Sequence, residues 1–199
     1  MTENEIRQNV VNTAISYLGY NKQDGTYKKI IDRYNTYQPL PRSYKVTYKD
    51  YWCAVFVSVI SMLCGLTDIM FVECSCNVMI ELYKKADRWQ EADDYAPSKG
   101  DLLLYDWDDN GQGDCTGMPD HIGIVVEVSG NMMKVIEGNK GNAVAYRNIQ
   151  VNGRYIRGYC LPDYGSKAQS TITNQQISKT AESNKSEKKV AYAKEKENI

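Results

Sequence analysis

Residues 49–65 read KDYWCAVFVSVISMLCG, and this stretch decides where the helical part of the fold must bury its core. From Cys53 onward, Ala54, Val55, Phe56, Val57, Val59, Ile60, Met62 and Leu63 surround a helix almost completely, which marks a buried helix. Asp50 is placed to cap its start and Gly65 to end it. Cys53 then falls in the first turn, where unpaired N–H groups and the positive end of the helix dipole favour a thiolate. A buried cysteine is also an ordinary small core residue. On this stretch alone the core reading has the better claim.

Composition narrows the classes. The chain has 199 residues, 42% of them hydrophobic, enough for one domain with an appendage. Its 24 Lys and Arg nearly balance 25 Asp and Glu, which gives no electrostatic footing for nucleic acid. No apolar run is long enough to cross a membrane, so no insertion is expected. The opening MTENEIRQNVVNTAISYLGY has no basic segment followed by an apolar one, so it does not read as a signal peptide. It reads as an amphipathic helix from about Asn4 to Leu18, with Ile6, Val10, Ala14, Tyr17 and Leu18 on one side and Gly19 at its end. Synthesis in a reducing cytoplasm is expected, with the six cysteines as thiols. After residue 165 the sequence turns to Ser, Thr, Asn, Gln, Lys and Glu. The expected organisation is therefore a domain over 1–165 and a polar, disordered tail or linker over 166–199. A short helix within SEKKVAYAKEKEN would have little to pack against.

Between the first helix and Cys53, TYKKIIDRYNTYQPLPRSYKVTYKD reads as a Tyr-rich loop with one helical turn. Beyond it, SCNVMIELYKKADRW reads as another helix, with Val78, Leu82 and Ala86 at a spacing of four. The period then changes. GDLLLYDW (100–107), HIGIVVEV (121–128), MMKVIEGN (132–139) and YIRGYCL (155–161) are short apolar or alternating runs separated by Gly and Asn turns, as in an antiparallel sheet. Helices first and strands later give an α+β domain.

The single histidine, His121, opens the second of these strands. With Ser129, Gly130 and Asn131 as the turn, His121 faces Asn139, and Glu137 lies one diagonal step away on the same face. A two-residue turn would shift this pairing by one and leave the three close. The carboxylate or amide can fix the imidazole tautomer and free its other nitrogen as a base. Nucleophile, base and orienter together form the recurring arrangement of covalent acyl transfer. Each residue taken alone fits ordinary turn or strand chemistry.

WCAVFVS at 52–58, KGDLLLYDW at 99–107, DHIGIVVEV at 120–128, VIEGN at 135–139 and RGYCLP at 157–162 resemble, in order, motifs of the CHAP domain. This is the cysteine, histidine-dependent amidohydrolase/peptidase domain, a papain-like relative of the NlpC-type hydrolases. The resemblance implies a papain-like fold with N-terminal helices on a C-terminal antiparallel sheet. It also implies a monomeric peptidoglycan hydrolase that needs no cofactor. Such an enzyme cuts the muramoyl–L-alanine amide or a stem or cross-bridge peptide bond of the bacterial cell wall. By motif position Cys53 is the nucleophile, His121 the base, Glu137 its orienter and Asn139 an auxiliary polar residue. The missing signal peptide is similar to phage endolysins, which act on the wall after release from the cytoplasm. Two rivals keep the fold: a catalytically idle wall-binding module, and a cysteine amidase or deamidase acting on a protein or small peptide.

One stretch departs from that pattern. DWDDNGQGD (106–114) places Asp106, Asp108, Asn110 and Asp114 like the first half of a calcium loop, although the twelfth position is Gly117 rather than Glu. It is a candidate calcium site, and otherwise an acidic surface turn. Cys74, Cys76, Cys115 and Cys160 lack the paired spacing of a zinc site and read as buried thiols. The 16 tyrosines offer rings for a glycan groove as well as for packing.

Overall fold

A computed structural model describes residues 1–170. Arg7–Asp163 forms one compact unit, and Met1–Ile6 groups with residues 164–170. The helices are α1 (Glu3–Ile15), α2 (Lys28–Tyr34), α3 (Cys53–Cys64) and α4 (Cys76–Lys85), with a 3₁₀ turn over Pro41–Ser43. The strands are β1 (Trp89–Gln90), β2 (Leu102–Tyr105), β3 (His121–Ser129), β4 (Met132–Lys140), β5 (Ala143–Gln150) and β6 (Ile156–Cys160). They form one open antiparallel sheet in the order β1-β6-β2-β3-β4-β5. The result is the expected α+β architecture, helices first and sheet second, consistent with a papain-like fold.

Helix α3 is the centre of the helical half. Cys53 through Ser61 are all buried, as its nearly unbroken apolar surface requires. Gly65 ends it at φ 66, and the N–H groups of Gly65 and Leu66 return to the carbonyls of Met62 and Ser61. Its start differs from expectation. Asp50 is not the cap, because its Oδ2 accepts from the Thr47 N–H (2.7 Å), the Thr47 hydroxyl (2.9 Å) and the Tyr44 hydroxyl (3.0 Å). Asp50 closes the turn before the helix, and Trp52 occupies the N-cap without a side-chain bond.

Other boundaries also moved. Helix α1 stops at Ile15, and Leu18 lies exposed in the turn that follows. The Tyr-rich stretch holds the two-turn helix α2, with Ile30, Ile31 and Tyr34 buried. Helix α4 buries Cys76, Met79, Ile80 and Tyr83 rather than the face of Val78, Leu82 and Ala86. The i, i+3, i+4, i+7 stripe carries more apolar volume, and Ala86 is already the C-cap. Strands β1 and β5 were not anticipated, since β1 has two residues and β5 alternates only weakly in burial. Residues 164–170 are helical. The expectations for the tail beyond 170 and for its short helix lie outside the described residues.

The sheet has two covered surfaces at its centre, for all four residues of β2 are buried. Leu103, Tyr105, Val125, Met133, Val135 and Tyr159 form one core cluster. Helix α3 packs against β3 and β4, and Gly138 permits the approach. A Cβ there would stand 2.4 Å from Cβ of Phe56 and 3.1 Å from the Trp52 ring. Glycine at this point of β4 therefore lets the helix that starts at Cys53 lie directly on the strand that carries Glu137.

Candidate active site

The β3–β4 hairpin turns through Gly130 and Asn131, so Ser129 pairs with Met132 and Val128 with Met133. That is the two-residue turn, one step off the pairing expected from a three-residue loop. A bulge at Val126 then restores the register. Val125 pairs with Val135, Ile124 with Ile136 and Gly123 with Glu137. Glu137 thus sits opposite Gly123, two residues from His121. The missing Cβ at Gly123 gives the carboxylate stem its path, since an added carbon would lie 2.8 Å from Glu137 Cγ.

The geometry brings three of the sequence-predicted residues together. Glu137 is fully buried, and its Oε2 lies 3.0 Å from Nε2 of His121. An ionised carboxylate only accepts, so Nε2 carries a proton and Nδ1 is the nitrogen left for the thiol. Cys53, 6% exposed at the start of α3, faces this imidazole. The Cys53 thiol is held well below the ordinary cysteine range. Hydrogen bonding from Cys76 favours its anion most, burial opposes, and His121 and the Ala54 N–H add to the stabilisation. For His121, burial disfavours the cation, but the bonds to Cys53 and Glu137 prevail and push it up to about 9. Both shifts favour the thiolate–imidazolium form of the pair.

Asn139 is not brought in. The last β3–β4 rung is Gly123 with Glu137, and a second bulge follows in β4 before Lys140 meets Ala143. Asn139 adopts φ 59 within that bulge and makes no side-chain bond to His121. The expected His121–Asn139 pairing is therefore not formed, because the strand diverges one step after Glu137.

Residues 43–139 match the sequence model of the CHAP domain. Over those residues the chain carries a CHAP domain. Two solved structures of Ly7917 are also similar. One is 14% identical, covers 82% of this chain and 63% of its own, and has a TM-score of 0.45. The other, with "the hydrolyzing product of MDP", is 13% identical, covers 81% and 63%, and has a TM-score of 0.38. This chain thus spans less than two thirds of the length of either. No curated protein matches it in sequence.

Beyond the matched CHAP residues, the structure adds a partner that sequence reasoning missed. Arg147 of β5 donates from Nε to Glu137 Oε1 (2.6 Å) and from NH2 to Oε2 (3.1 Å). The Tyr105 hydroxyl donates to Oε1 at 2.7 Å. These bonds and His121 outweigh burial and keep the Glu137 carboxyl below the usual range. The Arg147 guanidinium lies 4.6 Å from the Trp107 ring centre, and Trp107 stacks on Tyr105 at 4.6 Å. Tyr105 is the cross-strand partner of His121. Its signal in the sequence was hidden by the 15-residue β2–β3 loop, which gives no register. Arg147 was hidden because β5 itself was not read as a strand. Cys76 also belongs here, with its sulfur 3.8 Å from that of Cys53.

The polar atoms of the acidic loop are engaged largely within the chain. Among the described residues, no three His, Cys, Asp or Glu side chains converge to hold a metal ion. Asp106 is buried, and its Oδ1 accepts from the Asp108 N–H (3.0 Å) while its Oδ2 faces the Cys115 thiol (3.8 Å). Asp108 and Asp114 are exposed, and the Asn110 oxygen accepts from the Gln112 N–H (2.8 Å). Positive charge comes from the protein itself: Arg154 donates to the Asp109 carbonyl and Arg157 to that of Gly117. Asp120, instead of joining the loop donors, accepts from the Trp107 N–H at 2.7 Å.

Proposed function

We propose that this chain is a peptidoglycan hydrolase. It cleaves an amide bond of the bacterial cell wall, at the muramoyl–L-alanine link or within the stem or cross-bridge peptide. The observation that carries the reading is the buried relay from Glu137 through His121 to a cysteine at a helix start, inside a CHAP domain. Cys53 is the nucleophile, His121 the base and acid, and Glu137 the orienter.

The Cys53 thiolate attacks the amide carbonyl carbon, and the carbonyl electrons move to oxygen. Helix α3 has no side-chain cap, and the N–H of Cys53 at its start has no acceptor within the helix, so it is available to bind that oxyanion. The imidazolium gives its proton to the leaving nitrogen as the C–N bond breaks. Water, deprotonated by His121, then attacks the thioester and releases the acyl product. Glu137 stabilises the imidazolium in both half-reactions, and Arg147 and Tyr105 hold Glu137. No step passes through a metal. This reading places the action at the cell wall, reached after release from the cytoplasm.

The test is digestion of purified wall followed by mass spectrometry of the new ends. The wild-type protein is expected to release fragments with one new amine and one new carboxylate per cut, and folded Cys53→Ser none. Wall left intact by wild-type protein with a reactive Cys53 would direct the same chemistry to another amide.

A further inference from the structure

The proposed mechanism uses the sulfur of Cys53 as nucleophile and that of Cys76 only as a hydrogen-bond partner of the thiolate. The two are in contact at 3.8 Å, each buried at the first residue of a helix. The contact is built from both sides. Ser58 of α3 donates its hydroxyl to the Glu73 carbonyl (2.7 Å) and accepts from the Glu73 N–H (2.9 Å). The Glu73 carboxylate, itself buried, accepts from the N–H groups of Cys74 (2.7 Å) and Ser75 (3.0 Å) and from Arg42 (2.7 Å). Ser75 then caps α4 through the Val78 N–H. These bonds fix the start of α4 against α3. The other thiols are engaged elsewhere: Cys64 with Thr13, Cys74 with Arg42 and Cys115 with Asp106, while Cys160 is fully buried.

We propose that Cys53 and Cys76 form a reversible oxidation site, in which Cys76 resolves an oxidised Cys53 by closing a disulfide and switches the hydrolase off. The oxidant is a hydroperoxide. The Cys53 thiolate attacks one peroxide oxygen, an S–O bond forms and the O–O bond breaks. With hydrogen peroxide the departing hydroxide takes a proton and becomes water. Cys76 gives up its proton and attacks the sulfenic sulfur. The S–S bond forms, the S–O bond breaks, and the hydroxyl leaves with that proton as a second water. The two thiols lose two electrons and the peroxide gains them. The sulfurs must close from 3.8 Å to about 2 Å. The thiolate character that the site gives Cys53 makes it the sulfur oxidised first. Once disulfide-bonded, Cys53 is no longer a thiolate that can attack an amide carbon, and a dithiol reductant restores it.

The loss of activity rests on Cys53 being the nucleophile; the pairing of the sulfurs does not. The experiment treats the full chain with hydrogen peroxide and maps its peptides by mass spectrometry without reduction, before and after dithiothreitol. The expected result is a Cys53–Cys76 cross-linked peptide two hydrogens lighter than its parts. Wall lysis is expected to fall at least tenfold and return on reduction. Cys76→Ala, compared with its own untreated activity, is expected to carry sulfinic Cys53 and not to recover. Cys160→Ala is expected to cross-link as the wild type does. A wild-type map showing sulfinic Cys53 or a Cys76–Cys160 disulfide instead would overturn the proposal, and so would recovery of peroxide-treated Cys76→Ala. If Cys53→Ser still lysed walls, the reading of the nucleophile would fail while the map still decided the pairing.

Discussion

Glu137 and Asp106 are both buried carboxylates on the sheet side of the molecule, yet they are used in opposite ways. The partners of Glu137 come from three other strands: Tyr105 from β2, His121 from β3 and Arg147 from β5. The partners of Asp106 come from its own loop, at Asp108 and Cys115. A carboxylate bound across strands holds another element's side chain in place. A carboxylate bound locally shapes the turn it sits in. Both lie in stretches that look equally functional as letters, VIEGN and DWDDNGQGD. What separates them is convergence in space rather than spacing in sequence.

The strongest way to break this comparison is Glu137→Gln. Removing the anion beside His121 is expected to lower kcat by about 10²-fold or more while substrate binding changes little. It also lowers the affinity of His121 for its proton. Activity that needs the imidazolium is lost as pH rises through the His121 value of about 9. In Glu137→Gln that alkaline limb is expected at lower pH. A profile and rate equal to the wild type would remove Glu137 from its role. Arg147→Ala is expected to act in the same direction by a smaller factor, about tenfold. Tyr105 and His121 still hold the carboxylate in that variant. An unchanged alkaline limb with a lowered melting temperature would make Arg147 a purely structural partner.

Gly138→Ala tests the contact rather than the charges. The added methyl meets Phe56 at the α3–β4 approach, and overpacking of this kind costs about 1–3 kcal/mol. A lowered midpoint in denaturant unfolding is expected, together with slower wall lysis. No change in either would mean that α3 can shift without disturbing Cys53. The smallest effect is expected on the other side of the comparison. Asp108→Asn with Asp114→Asn should change lysis less than twofold, and calcium restored after chelation should leave the melting temperature almost unmoved. A calcium-dependent rise at about 10⁻⁴–10⁻³ M, the range of weak extracellular sites, would show that the loop rearranges into a ligand set.

Much of the relay was legible because hairpin arithmetic is local. His121 and Glu137 are separated by a single turn, so a short loop fixes their relation within one step. The α3 helix was legible because its apolar residues leave it only one environment. Asn139 was misplaced because a bulge, which has no strong letter signature in GNK, ends the ladder just before it. Arg147 and Tyr105 were invisible because their positions depend on long loops and on strand order. Cys76 was visible as a residue but not as a neighbour of Cys53, since that contact is set by how α4 docks. In the acidic loop, Asp106 and Asn110 accept from backbone N–H groups of the loop itself, which letter spacing does not show.

The proposed chemistry rests on a Cys53 thiolate held by His121, Cys76 and the start of α3. The most direct measurement is the rate of Cys53 alkylation by iodoacetamide as a function of pH, read peptide by peptide so that the other five cysteines serve as references. The account predicts that Cys53 reacts at a rate already on its plateau near neutral pH, with its midpoint well below that of an ordinary thiol. A Cys53 rate that climbs only around pH 8.5, as for a free cysteine at about that value, would contradict it.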